Sequence, residues 1–295
     1  MTGRRDFIKA TALGAAGLAV GGLGESCAMP NKAKGPSMEF GLVTYMWGAE
    51  WDLPTLISTC EKVGLAAVEL RTGHAHGVET TLSTAERSEV KKRFADSPVT
   101  CVGYGSNFEY HVPEPAKLRE NIEQTKEYIK LCKDIGATGL KVKPNKLLAG
   151  VPKEQTIAQI ATSLNEVGKF AGDLGMLVRV EAHGYSTEIP SNMKAIFDQV
   201  SEKSVNICWN CNPVDINPPG IEANFNMLKD WIGDVVHIHK LLQGEYPYME
   251  LFNLLAGNGF NGYLLLEDHR VPGDKMSALV QQLDTFNEMK SYINI

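Results

Sequence analysis

No charge sign dominates this sequence. Its 295 residues carry 29 Lys and Arg against 35 Asp and Glu, a formal net charge of −6. A phosphate-backbone partner calls for a basic patch, so no nucleic-acid partner is expected. Cysteine is present without a framework. After Cys27, the remaining Cys60, Cys101, Cys132, Cys208 and Cys211 are odd in number and sit singly in apolar surroundings. They read as buried free thiols. Cys208 and Cys211 stand three apart, with Cys208 inside an apolar strand, so they face opposite ways and do not form a redox or zinc pair. No G-x-G-x-x-G follows the first strand-like run and no P-loop occurs, which leaves a doubly wound nucleotide fold without its phosphate cradle. The bland apolar run at 10–24 is short for a membrane span and rich in glycine. No internal repeat or low-complexity segment interrupts the chain.

What is present begins with Arg4-Arg5 in Thr2-Gly3-Arg4-Arg5-Asp6-Phe7-Ile8-Lys9, just ahead of that apolar run. The pattern resembles twin-arginine export signals, so residues 1–26 are expected to be an export signal, with an N-terminal anchor as the alternative. Residues 27–37 then read as a tether. Cys27 could carry a lipid, although Gly24-Glu25-Ser26 is a poor processing site. The expected location is periplasmic or membrane-anchored. The remainder, with 43% hydrophobic and 22% charged residues over the whole chain, has the composition of a globular domain.

From residue 38 onward β-like runs alternate with helical stretches. Strands are expected at 39–45, 67–70, 100–104, 139–142, 177–182, 205–209, 235–239 and 262–266. Helices are expected at 53–63, 84–94, 116–135, 156–174, 192–200, 221–232, 248–255 and 275–290. Gly64, Gly136, Gly175, Gly233 and Gly257 serve as stops, and Ser83 with Glu86 has capping-box spacing. Eight strands alternating with eight helices in one 38–295 domain predict a (β/α)8 barrel.

In such a barrel the chemistry lies at the C-terminal ends of the strands. The stretch 177–184 (LVRVEAHG) puts a carboxylate, Glu181, at the exit of an apolar strand, with His183 behind it. A charge there is costly unless it is paired, ligated or used. Side chains alternate across a strand, so Arg179 and Glu181 share a face, as do Cys208 and Asn210, and His237 and His239. Facing the mouth, Glu181, Asn210, His239 and Glu267 would converge from four consecutive strands. Such an oxygen and nitrogen set suits one divalent ion: Mn²⁺, Mg²⁺, Co²⁺ or Zn²⁺. Blander readings stand beside this one. Glu181 could pair with Arg179 or Lys141, and Glu69 with Arg71 or a lysine. His237 could be a core histidine below the metal, His74 and His76 could lie on a surface loop, and Glu109 with His111 could be a lid or an ordinary loop.

Four segments carry a family resemblance: Val68-Glu69-Leu70 after Val63-Gly64, Arg179-Val180-Glu181-Ala182-His183, Val236-His237-Ile238-His239-Lys240, and Gly262-Tyr263-Leu264-Leu265-Leu266-Glu267. Through them, residues 38 to about 290 resemble the xylose-isomerase-like TIM barrels, a group of sugar phosphate isomerases and epimerases. The resemblance implies a metal set of Glu181, Asn210, His239 and Glu267, with Glu181 and Glu267 as the proton-transferring pair. Asn210 departs from the family's aspartate; Asp215 further along is a conceivable substitute. Glu69, Arg71, Lys141, His183, Asn212 and Lys240 are expected to contact substrate, with Lys141, Lys240 or Arg71 stabilising an enediolate. The implied substrate is a small carbohydrate: a free sugar, keto sugar or cyclitol. A keto-sugar lyase and a non-catalytic carbohydrate-binding barrel with a degenerate metal site are the alternatives. Endonuclease IV shares the fold but needs several zinc ions, which seven histidines and an acidic, exported chain do not favour.

Overall fold

A computed structural model of the protein describes residues 37–241, 244 and 246–293. The expected export signal, Cys27 and nearly all of the tether lie outside the described residues. The eight barrel strands are β1 (Ser37–Val43), β2 (Ala67–Arg71), β3 (Thr100–Glu109), β4 (Gly139–Lys143), β5 (Leu177–Glu181), β6 (Val205–Trp209), β7 (Ile232–Ile238) and β8 (Asn261–Leu266). All pair in parallel, and β1 joins both β2 and β8, so the sheet closes on itself in sequence order. Between them run α1 (Leu53–Val63), α2 (Thr84–Ala95), α3 (Pro115–Asp134), α4 (Lys153–Asp173), α5 (Pro190–Phe197), α6 (Ile221–Leu228), α7 (Tyr248–Gly257) and α8 (Lys275–Ser291). The expected barrel is therefore the observed one.

Local signals explain many of the boundaries. The Asp52 side chain accepts from the Thr55 amide at 2.8 Å to start α1. Ser83 and Glu86 complete the expected capping box of α2. Gly64 ends α1 at φ 88°, a conformation that glycine adopts without Cβ strain. Among the described residues, no helix is long and apolar enough to cross a membrane.

Several boundaries differ from expectation. β1 stops at Val43, and Tyr45 opens a short helix, Tyr45–Gly48. Strand β3 continues to Glu109, where it pairs with Lys143 after a register shift. Asn145–Lys146 and Gly184–Tyr185 form an extra two-stranded sheet. Helix α5 begins at Pro190, a residue well suited to a first helical position. The helix expected at 221–232 ends at Leu228, a 3-10 turn covers Lys229–Trp231, and Gly233 lies inside β7 rather than stopping a helix. A Cβ at Gly233 would meet the Asn206 side chain, so the glycine permits close strand approach.

Two apolar layers position the site. The larger lies between the strands and the helices and includes Phe40, Leu70, Ile129, Leu164, Phe225 and Phe286. The smaller fills the barrel itself with Val43, Ala67, Val102, Cys208, Val235 and Leu265. Arg179 anchors the barrel interior: it donates to Val102 O at 2.9 Å and Thr138 Oγ1 at 2.7 Å, and pairs with Asp234 at 2.7 Å. Cys208 and Cys211 fall in different core layers and, like Cys60, Cys101 and Cys132, are buried free thiols.

Candidate active site

At the C-terminal end of the barrel the strands surround a cavity of about 370 Å³. Seven residues expected at the site line it: Arg71, Glu181, His183, Asn210, Asn212, His239 and Glu267. Tyr45, Lys143 and His269 line it as well, so every strand except β3 contributes a group at or just beyond its end. Lys143 was legible in the alternation of GLKVK, which puts it on the Lys141 face. Tyr45 was hidden because the sequence reads as strand through that position. A larger cavity of about 630 Å³ is lined by Asn107, Glu109 and Tyr128. The smaller one is the candidate because facing carboxylates and cations meet there.

Beneath the cavity lie ionisable groups fully inside the barrel. Lys141 sets its ammonium on Glu181 Oε2, with both side chains sealed from solvent, and Lys143 Nζ stands 3.8 Å from the same oxygen. Burial works to raise the Glu181 pKa, but Lys141, helped by Lys143 and His237, overcomes both burial and the repulsion of Glu267 and holds it at about 2. The predicted partner Arg179 takes no part and is spent on Asp234. Glu267 accepts from Arg71 Nη1 at 3.0 Å, and Arg71 Nη2 also donates to Asn107 Oδ1 at 3.1 Å. Burial pushes the Glu267 pKa up, yet His237, Lys141 and Arg71 bring it well below the usual carboxylate range.

His237 lies at the centre of this layer. Its Nε2 is 3.3 Å from Glu69 Oε1 and its Nδ1 is 3.2 Å from Glu267 Oε2. Burial disfavours the imidazolium, but Cys208, Glu69 and Glu267 raise the His237 pKa well above its usual value. Glu69 therefore faces a histidine, not Arg71 or a lysine. Gly105 makes room for it, since a Cβ there would strike Glu69 Oε1 and the Arg71 stem.

His239 lies just past β7, and its Nδ1 contacts Glu267 O at 2.7 Å. That contact occupies one ring nitrogen and leaves Nε2 for the cavity that His239 lines. His183 Nδ1 contacts Asn145 Oδ1 at 3.1 Å; burial lowers its pKa against the pull of Glu181. Asn212 donates to Ala182 O at 2.5 Å, whereas Asn210 Oδ1 is buried with no hydrogen-bond partner.

Other expectations are corrected. Of the expected substrate contacts, Glu69 and Lys141 are sealed below the cavity rather than lining it, and Lys240 stands aside, its ammonium 5.1 Å over the Trp47 ring. Asp215 does not replace the missing acid: it is buried in a 3-10 turn, accepting from Asn212 N and Tyr246 OH, each at 2.8 Å. His76 is buried rather than on a surface loop, with Nε2 2.8 Å from Arg71 O, and His74 is half-buried with Nδ1 3.0 Å from Thr44 Oγ1. Glu109 belongs to β3 and receives the Asn145 amide, and His111 is buried beside it, so neither forms a free lid.

Glu181, His237 and Glu267 each offer a ligand atom, all within 4.8 Å of one another, so a group able to hold a metal exists here. It uses His237 where the sequence pointed to His239. By distance, and by the unpaired Asn210 oxygen, the donors fit a divalent ion. By charge they do not: Lys141 and Lys143 already face Glu181, Arg71 and His237 already face Glu267, and Asn210 brings no charge.

Residues 57–289 match the family model described as xylose isomerase-like TIM barrel. The chain belongs to that family. Among solved structures, D-psicose 3-epimerase from Clostridium cellulolyticum H10 superposes with a TM-score of 0.73 at 17% identity, over 88% of this chain and 100% of that one. The 3-keto-D-glucoside 4-epimerase of E. coli gives 0.71 at 13% identity, over 86% and 100%. The IOLI protein, solved with a zinc atom, gives 0.73 at 14% identity, over 88% and 100%. No curated protein matches the sequence. These xylose isomerase-like barrels share the fold of this chain.

Proposed function

We propose that the protein is a sugar isomerase or epimerase that moves a proton next to a carbonyl through an enediolate. One observation carries the reading: the carboxylates of Glu181 and Glu267 meet within 4.8 Å at the mouth of a polar cavity of about 370 Å³. Of the expected pair, one carboxylate takes the proton from the carbon beside the carbonyl. The C–H electron pair becomes the double bond of the enediolate, and the carbonyl pair moves onto oxygen. Return of the proton to the former carbonyl carbon, with the neighbouring hydroxyl passing its proton to the former carbonyl oxygen as the new C=O forms, completes isomerisation. Return to the opposite face of the original carbon, with the oxygen pair re-forming the first C=O, completes epimerisation. Asn210, with its free oxygen, accepts from a substrate hydroxyl. Arg71 donates toward the developing oxyanion, and His183 and Asn212 line the same cavity. The substrate is a small carbohydrate, a free sugar, keto sugar or cyclitol, reached by export of the chain with Cys27 as a possible lipid tether. Departure of a β-substituent from the same enediolate would make the enzyme a lyase.

A resident Mn²⁺, Mg²⁺, Co²⁺ or Zn²⁺ is a second reading, favoured by the unpaired Asn210 oxygen. Held by Glu181, Glu267, Asn210 and a histidine, it would polarise the substrate carbonyl.

Incubation with a panel of keto sugars in D₂O tests the proposal. Deuterium should enter at the carbon next to the carbonyl, and Glu181→Gln should suppress its entry. No incorporation across the panel, with or without added metal, would leave the carbohydrate-binding barrel as the better reading.

A further inference from the structure

The two lysines of β4 both face Glu181, one of the carboxylates a metal would need. Glu181 and Glu267 are the two carboxylates that the family resemblance assigns to a divalent ion, and each already faces cations of this chain. Lys141 and Lys143 meet at one oxygen of Glu181. Arg71 meets one oxygen of Glu267 at 3.0 Å, and His237 Nδ1 meets the other at 3.2 Å. Within the barrel mouth the three carboxylates of Glu69, Glu181 and Glu267 are thus matched by Lys141, Lys143 and Arg71, before His237 is considered. A divalent ion in this group would add two positive charges to a balanced set from which the expected third ligand carboxylate, at position 210, is missing.

The lysines differ in what they can do. Lys141 is sealed from solvent, and its own carbonyl is held by Ser106 Oγ at 2.6 Å, so it is a fixed counter-charge under Glu181. Lys143, two residues on and therefore on the same face, lines the cavity, and its side chain retains 12% of its exposure. At 3.8 Å from Glu181 it makes an ion contact without a hydrogen bond to that oxygen. Its ammonium donors can therefore turn to a substrate oxygen without breaking one.

We propose that the Lys141–Lys143 pair takes the place of the divalent ion, so that the site works without a resident metal and Lys143 is the catalytic cation. Lys143 donates to the substrate carbonyl oxygen and carries the charge that collects there when the adjacent C–H proton leaves. When the proton returns to the same carbon, the electron pair moves back from oxygen and Lys143 keeps its own proton throughout. Lys141 is a positioning residue: it holds Glu181 ionised and aimed at the cavity. The proposal rests on the isomerase reading for its substrate, but not for its metal test.

That test uses the full chain, expressed with Mn²⁺ and Zn²⁺ in the medium. Metal content is measured on the purified protein, and each metal alone is then titrated by calorimetry into wild type, Lys143→Gln and Lys141→Met. The expected result is no stoichiometric metal in wild type, at most weak binding heat with either ion, and a roughly 10- to 100-fold gain in metal affinity in Lys143→Gln as the competing charge leaves. Lys143→Gln lies at a position that lines the cavity and stays informative if Lys141→Met fails to fold. One equivalent of tightly held metal in wild type, lost in Glu181→Gln, overturns the proposal. So does deuterium incorporation that EDTA abolishes and metal restores. Incorporation that survives EDTA and is lost in Lys143→Gln supports it. Absence of incorporation from every sugar sinks the isomerase reading, while the titration still decides whether lysine has replaced the metal.

Discussion

His237 Nε2 lies 3.3 Å from Glu69 Oε1, at the centre of the barrel and with neither side chain more than 1% exposed. Three strands meet there, since the other ring nitrogen lies 3.2 Å from Glu267. Removing one member of a buried charged pair strands the other in a medium that solvates it poorly. Glu69→Ala is therefore expected to cost about 3–5 kcal/mol. Urea denaturation measures it, and a loss below ~1 kcal/mol would show that the pair is not charged in the folded state.

Glu181→Gln tests the chemistry with little change of shape. The amide oxygen can still accept from Lys141, so near-UV circular dichroism should be retained. Proton abstraction should fall by about 10²–10⁴-fold, the usual contribution of a positioned base. A variant that exchanges deuterium as fast as wild type would move the base to another residue of the cavity.

Gly105 has a role that only its neighbours reveal. Any Cβ there meets the Glu69 carboxylate and the Arg71 stem. Gly105→Ala should overpack the barrel by about 1–3 kcal/mol and shift Arg71, which holds Glu267. The expected signature is a lower melting temperature together with a lower kcat. An alanine variant with wild-type values of both would contradict the close fit.

Asp215 supplies a pH dependence of known sign. Its pKa rises from 3.8 to about 7, chiefly through burial, opposed by hydrogen bonds from Tyr246 and Asn212. Between those values the folded chain holds a proton that the unfolded chain has released. Stability therefore falls as pH rises from about 4 to about 7, by ~1.4 kcal/mol for each pH unit crossed, and is level beyond. Asp215→Asn should remove this slope and raise the melting temperature near pH 8, with little change at pH 4. Glu181 acts in the opposite sense: its pKa falls from 4.5 to about 2, so its stabilisation is complete above 4.5 and is lost as pH falls toward 2. Melting curves of wild type and Asp215→Asn from pH 3 to 8 separate the two.

Sequence alone determined the alternation of strands and helices, the closed parallel barrel, and the end of it at which the polar groups gather. Those follow from hydrophobic period, helix caps and glycine stops, which are local and survive without coordinates. It also singled out Glu181, Glu267, Asn210 and His239 as neighbours, since strand order and alternation suffice for that. Tertiary structure decided the pairings. That Lys141 and not Arg179 neutralises Glu181, that His237 rather than His239 lies between the carboxylates, and that Lys240 and Asp215 stand outside the cavity all depend on inter-strand register and side-chain reach. A strand's face is written in two-residue steps along the chain. The partner across a barrel is set by stagger and by the length of each side chain, which no single segment contains.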